Sequence, residues 1–173
     1  MTPDNLSVKV REENEEVLYT CDPITSITSK DISILKEKAA TNPGKRLRLC
    51  AHLSTEDAFH NMLIVLVKGC FIRPHKHKNR AESFHIIEGR LRVIIFDAQG
   101  QVKKVITMGD YSSGEPFFYR LSEDLYHTVI PLTDTVVFHE STNGPFESQN
   151  TSFPSWGVSS VDLENIKPIL NAV

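Results

Sequence analysis

The sequence predicts a mainly β domain of the sandwich or jelly-roll class, with a helix before the barrel and a short extension after it. Three observations carry that expectation. From Lys45 onward, short apolar or alternating runs recur at regular spacing. Turn residues separate them, as in Asp97-Ala-Gln-Gly100 and Asn143-Gly-Pro145. The 173 residues show no internal repeat and suit one domain with a sizeable core.

The elements follow in order. Residues 1–27 read as an N-terminal arm, mobile or paired as an edge strand, with the charged run Arg11-Glu-Glu-Asn-Glu-Glu16 at its centre. The barrel domain with its leading helix is expected over residues 28–146. Thr28-Ser-Lys-Asp31 has the form of a capping box, in which the threonine hydroxyl and the aspartate satisfy each other's free amides. Ile32, Leu35 and Ala39 then make an apolar helical stripe that Asn42-Pro43-Gly44 stops. Strands are expected where Leu47 and Leu49 alternate with Arg46 and Arg48, then over Met62–Val67, Phe71–His77, Glu82–Glu88 and Arg90–Phe96. Val102–Thr107, Phe117–Leu121, Tyr126–Ile130 and Thr135–His139 complete the set. Residues 147–173 read as an extension packing on the barrel, polar up to Trp156 and then helical from about Val161 to Leu170.

Composition narrows the function classes. Nineteen Lys and Arg against 22 Asp and Glu give a net charge of -3, with no basic footprint for nucleic acid. No dense basic run accompanies an amphipathic segment, and the longest apolar run, Met62–Val67, is far too short to span a bilayer. Three cysteines, Cys21, Cys50 and Cys70, are odd in number and widely spaced, as expected of reduced thiols. With no apolar segment after Met1, a cytoplasmic protein is expected, without nucleic-acid or membrane partners.

The chemistry is concentrated between Gly69 and Gly89. His75 and His77 are one residue apart, so on a strand both imidazoles point to the same face. Glu82 follows a short polar connection, Lys78 to Ala81, and opens the next apolar run. If that run pairs back, its carboxylate faces the same cavity. Two imidazoles and a carboxylate on one side of a divalent metal leave positions open for water or substrate. The fourth ligand is expected from His127, which starts a strand about fifty residues further on.

The run from Gly69 through Gly89 reads G-x5-H-x-H-x4-E-x6-G and resembles the first motif of the cupin superfamily at every defined position. The second cupin motif keeps its histidine as His127, but Ser122, Asp124 and Pro131 stand where proline, glycine and asparagine are usual. Arg73-Pro-His-Lys-His77, Glu82-Ser-Phe-His, Phe96-Asp97-x-x-Gly100, Tyr126-His-Thr128 and Glu140-x-x-x-Gly144-Pro145 are similar to the WbuC family of cupin-fold metalloproteins, over roughly residues 30 to 157. His52 also resembles that family's pattern. The resemblance implies a cupin double-stranded β-helix (jelly roll), a metal on His75, His77, Glu82 and His127, and a homodimer. It also implies a place in polysaccharide or O-antigen biosynthesis.

Further candidates come from strand alternation. Arg73 shares the face of His75 and His77 if Pro74 leaves the strand undisturbed, and would clamp a carboxylate or phosphate as a substrate-binding residue. Tyr119 and Glu140 are the catalytic candidates, a hydrogen-bond donor and a base. His85 falls on the opposite face; His52, His60 and His139 lie near apolar strands, as core or pocket histidines. Iron, manganese, zinc or nickel all suit this ligand set. The expected function is isomerase or epimerase chemistry on a small anionic or sugar-like ligand. An iron(II)-dependent dioxygenase and a non-catalytic metal-dependent binding module are the alternatives.

Overall fold

A computed structural model describes residues 6–156. The helix α1 (Ser29–Thr41) is preceded by β1 (Val10–Asn14) and β2 (Val17–Thr20) and followed by β3 (Arg46–Cys50) and β4 (Phe59–Val67). Then come β5 (Lys76–His77), β6 (Glu82–Glu88), β7 (Arg90–Phe96), β8 (Val102–Gly109) and β9 (Phe118–Leu121). β10 (Tyr126–Pro131), β11 (Thr135–Asn143) and β12 (Thr151–Ser152) close the series. They form a seven-stranded sheet in the order β1-β2-β3-β4-β11-β6-β9, a facing sheet β10-β7-β8, and a small pair β12-β5. All neighbours are antiparallel except β2 and β3. This is the jelly-roll class expected, and the residues explain it.

Two apolar layers hold it together. Between the sheets, Phe84, Ile86, Leu91, Val93, Phe138 and Met108 are buried together. On the other side of the large sheet, Leu18, Leu47, Leu49, Val65 and Val137 pack against Leu35 and Ala39 of α1. Leu47 and Leu49 therefore face the helix, and their alternation partners Arg46 and Arg48 turn to the concave side. The helix starts at a complete capping box: Asp31 N donates to the Thr28 hydroxyl and Thr28 N to the Asp31 carboxylate. Asp31 also accepts from Ser7 N and Oγ, which ties the incoming chain to the helix start.

Register sets out the concave face in rows. Across β2, β3, β4, β11, β6 and β9, one row is Tyr19, Cys50, Met62, Glu140, Phe84 and Tyr119. The next row is His60, Thr142, Glu82 and Leu121. Glu140 and Glu82 thus stand diagonally on adjacent strands, about 7–8 Å apart at Cα.

Residues 10–20 form a hairpin whose outer member, β1, is the edge of the large sheet; only Val10 of that strand is buried. Its exposed charges discourage pairing with another chain. One strand is much shorter than its sequence suggests. Of Phe71–His77 only Lys76 and His77 are strand, because Pro74 has no amide to donate. His75 is held instead by an isolated antiparallel bridge to His127. Thr128 Oγ1 donates to Ile72 O and steadies the segment before it. Asp97 makes the expected turn, accepting from the amides of Gln99 and Gln101, with Gly100 at φ +85°. The described part of the C-terminal extension returns to the barrel through β12; the helix expected from Val161 to Leu170 lies outside the described residues. Among the described residues no helix is long and apolar enough to cross a membrane.

Candidate metal centre

Four short segments meet at one end of the space between the sheets. His75 and His127 exchange backbone hydrogen bonds, His75 N to His127 O at 3.1 Å and His127 N to His75 O at 2.9 Å. His77 lies on β5, Glu82 starts β6, and His127 is the second residue of β10. The imidazole centroids are 4.9 Å apart for His75 and His77, 4.6 Å for His75 and His127, and 5.7 Å for His77 and His127. One ring nitrogen from each lies within 4.8 Å of the other two, a cluster that could hold a metal ion.

The second nitrogen of every ring is engaged outside the cluster. His75 Nδ1 lies 2.8 Å from Arg73 O, and His127 Nδ1 3.0 Å from Leu125 O. A carbonyl oxygen only accepts, so both Nδ1 atoms carry the proton and both Nε2 atoms present a lone pair. His77 Nδ1 lies 3.2 Å from Thr151 Oγ1 on β12, which can take the same role. Outer contacts of this kind fix the tautomer and aim of metal-ligating histidines.

Glu82 completes the arrangement. Its Oε1 is 3.1 Å from His127 Nε2, with both side chains 4% exposed, yet that oxygen has no hydrogen-bond partner of acceptable geometry. Two buried acceptors at this distance repel each other unless a proton or a cation lies between them. The three histidines therefore form a cluster that could hold a divalent metal, with the Glu82 carboxylate beside His127.

The electrostatics agree. Burial, then the neighbouring imidazole, hold His75 and His77 below the ordinary histidine range, His77 at about 4, so both are neutral ligands near pH 7. Burial would push Glu82 up, but the facing His127 outweighs it and keeps the carboxylate ionised. Burial likewise opposes charge on His127, and Glu82 overrides it upward, so without a metal a proton on Nε2 takes the place between the two groups that a cation would fill.

A cavity of about 410 Å³ runs from His75 and His77 across the concave face. Glu140 lines it, and burial followed by the charge of Glu82 pushes its carboxyl up to about 7. Tyr119 is buried in the same row; its hydroxyl has no partner, and burial followed by the Glu82 charge raises its pKa. Arg73 is not where alternation would put it. With no strand at residues 70–74 it is exposed, and its guanidinium stacks 4.2 Å from the Phe153 ring outside the cavity. The arginines of the cavity are instead Arg46, Arg48 and Arg80. His52 and His60 also line it, their rings stacked at 4.0 Å. His139 bonds Asn61 through Nε2 at 3.1 Å, and exposed His85 faces outward beside Phe117. Sequence reasoning missed Arg48, Arg80 and Thr151. Arg48 was legible only as a residue alternating with Leu47 and Leu49 on a strand. Thr151 reaches His77 from 74 residues away, and no local signal marks it.

Two facing sheets, antiparallel apart from the β2–β3 pair, with three imidazoles gathered between them decide the architecture. The fold is a cupin jelly roll. The crystal structure of protein SO0799 from Shewanella oneidensis is similar over 73% of this chain and 82% of that one, with 13% identity and a TM-score of 0.54. Looser likeness extends to oxalate decarboxylase from Bacillus subtilis, with 22% identity over 57% of this chain and 24% of that one and a TM-score of 0.46. The cupin domain of Schizosaccharomyces pombe Cnp3 shares 14% identity over 57% of this chain and 64% of that one, with a TM-score of 0.45. Residues 27–108 match a domain family of unknown function, DUF6016, a span that includes His75, His77 and Glu82 but stops before His127. No curated protein matches this chain in sequence.

Proposed function

We propose that this cupin is a metal-dependent enzyme that relocates a proton on a small polar or sugar-derived substrate, in an isomerase- or epimerase-type reaction. The observation that carries this reading is Glu140, a carboxyl that lines the cavity, is held at about 7 and stands one row from Glu82 on the adjacent strand. A non-catalytic binding site needs no such group, whereas a general base works best near the operating pH. His75, His77, Glu82 and His127 would hold an iron, manganese, zinc or nickel ion. When bound, that ion supplies Lewis acidity to a carbonyl or hydroxyl oxygen of the substrate.

The chain's own groups do the rest. Arg73 O, Leu125 O and Thr151 Oγ1 keep the three imidazoles aimed inward. Ile64, Leu66 and Ile72 give the cavity an apolar wall that limits water around the base. Glu140 takes a proton from carbon and returns it to the same or the neighbouring carbon, so atoms balance without a co-reactant. The WbuC-like residues, Glu140 among them, support a place in polysaccharide or O-antigen biosynthesis, as a cytoplasmic homodimer.

The test is exchange. Metal-loaded protein is incubated without oxygen in deuterated water with a panel of sugar acids and nucleotide sugars. Deuterium incorporation in wild type that disappears in Glu140→Gln supports the reading. Turnover only with oxygen would mean a dioxygenase instead. Ligand binding without exchange would mean a binding module.

A further inference from the structure

Beyond the metal ligands, the cavity crosses the concave face of the large sheet, and polar groups with no structural task collect there. Arg46 and Arg48 both enter it from β3. Arg46 is engaged, its Nε 2.7 Å from Glu16 Oε2. The Arg48 side chain, exposed at the mouth, has no hydrogen bond or ion pair among the described residues, although its backbone amide donates to Glu16 O.

Arg80 approaches from the loop between β5 and β6. Its Nε donates to Asn143 O at 2.9 Å, and its guanidinium lies 5.5 Å from the Phe146 ring. Those contacts orient the fork and leave its terminal nitrogens without partners among the described residues. His60 belongs to the same wall. It is 3% exposed, stacked flat on His52, and its Nε2 has no partner. A buried polar atom left unpaired in a cavity wall marks a place where a ligand or water is expected.

Of the three arginines that line this space Arg48 and Arg80 have guanidinium nitrogens to spare, and the carboxyls among its described lining residues are Glu140 and the engaged Glu16. Loading a divalent ion on the neighbouring centre makes the excess of positive charge larger. Fixed, planar, unpaired guanidinium groups are suited to bidentate capture of carboxylate or phosphate.

We infer that Arg80 and Arg48 form an oxyanion subsite, with His60 Nε2 as a further contact. It holds the terminal carboxylate or phosphate of the substrate whose other end reaches the metal. The inference rests on the metal-centre reading for the position of the reacting end, but not for the subsite itself. A cavity of about 410 Å³ is at the small end of ligand sites, which points to a small organic acid or a phosphorylated sugar rather than a polymer.

The experiment is calorimetric titration at low salt with malonate and with inorganic phosphate. It uses chelator-treated and metal-loaded protein: wild type, Arg48→Gln, Arg80→Gln, Arg80→Lys and the double glutamine variant. Metal content and circular dichroism are recorded for each. Expected is binding of at least one probe to both forms of wild type, tenfold or more weaker in Arg80→Gln and weaker still in the double variant, at unchanged metal content. Arg80→Lys should fall between, since it keeps charge and loses the fork. Binding of malonate alone, or phosphate alone, supports the subsite and assigns its oxyanion. Equal affinity in a folded double variant, or no binding of either probe to wild type, overturns it. If Arg80→Gln does not fold, Arg48→Gln and Arg80→Lys carry the same comparison. Arginine-dependent binding in a wild-type protein that takes up no metal would leave the subsite standing and remove the metal reading.

Discussion

Replacing Glu140 with glutamine should stabilise the metal-free protein at pH 8 and change it little at pH 4. In the folded chain burial, and then the charge of Glu82, lift this carboxyl from 4.5 to about 7. Between those values the folded chain keeps a proton that the unfolded chain has released. Stability therefore falls as pH rises through the window, and the loss is complete above the folded value. At 1.36 kcal/mol per pH unit the full cost is about 3 kcal/mol. Glutamine cannot ionise and avoids it. For a domain of this size that corresponds to roughly 6–12 °C in Tm. Part of the cost comes from Glu82, whose charge a divalent ion would offset, so the gain should shrink when metal is added. The assay is thermal unfolding followed by circular dichroism, with chelator, at pH 4 and pH 8. An equal change in Tm at both pH values, or a fall at pH 8, would refute a desolvated carboxyl in the cavity and with it the base assigned above.

Thr151→Val removes the oxygen facing His77 Nδ1 and should weaken metal binding by about 10–100-fold, while Thr151→Ser should retain it; chelator competition decides. Asp31→Ala should destabilise the fold by about 1–2 kcal/mol at pH 7, by denaturant titration. Burial pushes the Asp31 carboxyl up, but hydrogen bonds from Ser7 and Thr28 outweigh it and depress the pKa. Its contribution is present above the unfolded value near 4 and fades as pH falls below it, so the difference between variant and wild type should narrow in acid. Tyr119→Phe deletes a buried hydroxyl with no partner and should leave stability unchanged or raise it by about 1 kcal/mol; a loss above that would reveal a bond the hydroxyl makes.

Much of this architecture is readable locally. The capping box at Thr28 and Asp31 needs only four consecutive residues, and the Asp97 turn only five. Strand alternation correctly separates Glu82 from His85. His75 and His77 come together as the spacing suggests, although one sits on a bridge and the other on a two-residue strand. Local reading fails where the second side of an element decides the outcome. The leucines of β3 are core, but the core is the one under α1, and that turns Arg48 into the cavity. Pro74 breaks the alternation that would have put Arg73 beside the histidines, and Arg80, in a stretch read only as a polar connection, reaches the cavity instead. Thr151 becomes relevant only once β12 has paired with β5.

Metal stoichiometry probes the proposed metal centre on His75, His77, Glu82 and His127. Wild type, His77→Ala, His127→Ala and His85→Ala are loaded with manganese or zinc, passed over a chelating resin and measured by elemental analysis. One ion per chain is expected in wild type and His85→Ala, and a marked loss in His77→Ala and His127→Ala, with all four proteins folded. Equal metal in all four, or none retained by wild type with any of iron, manganese, zinc or nickel, would contradict it.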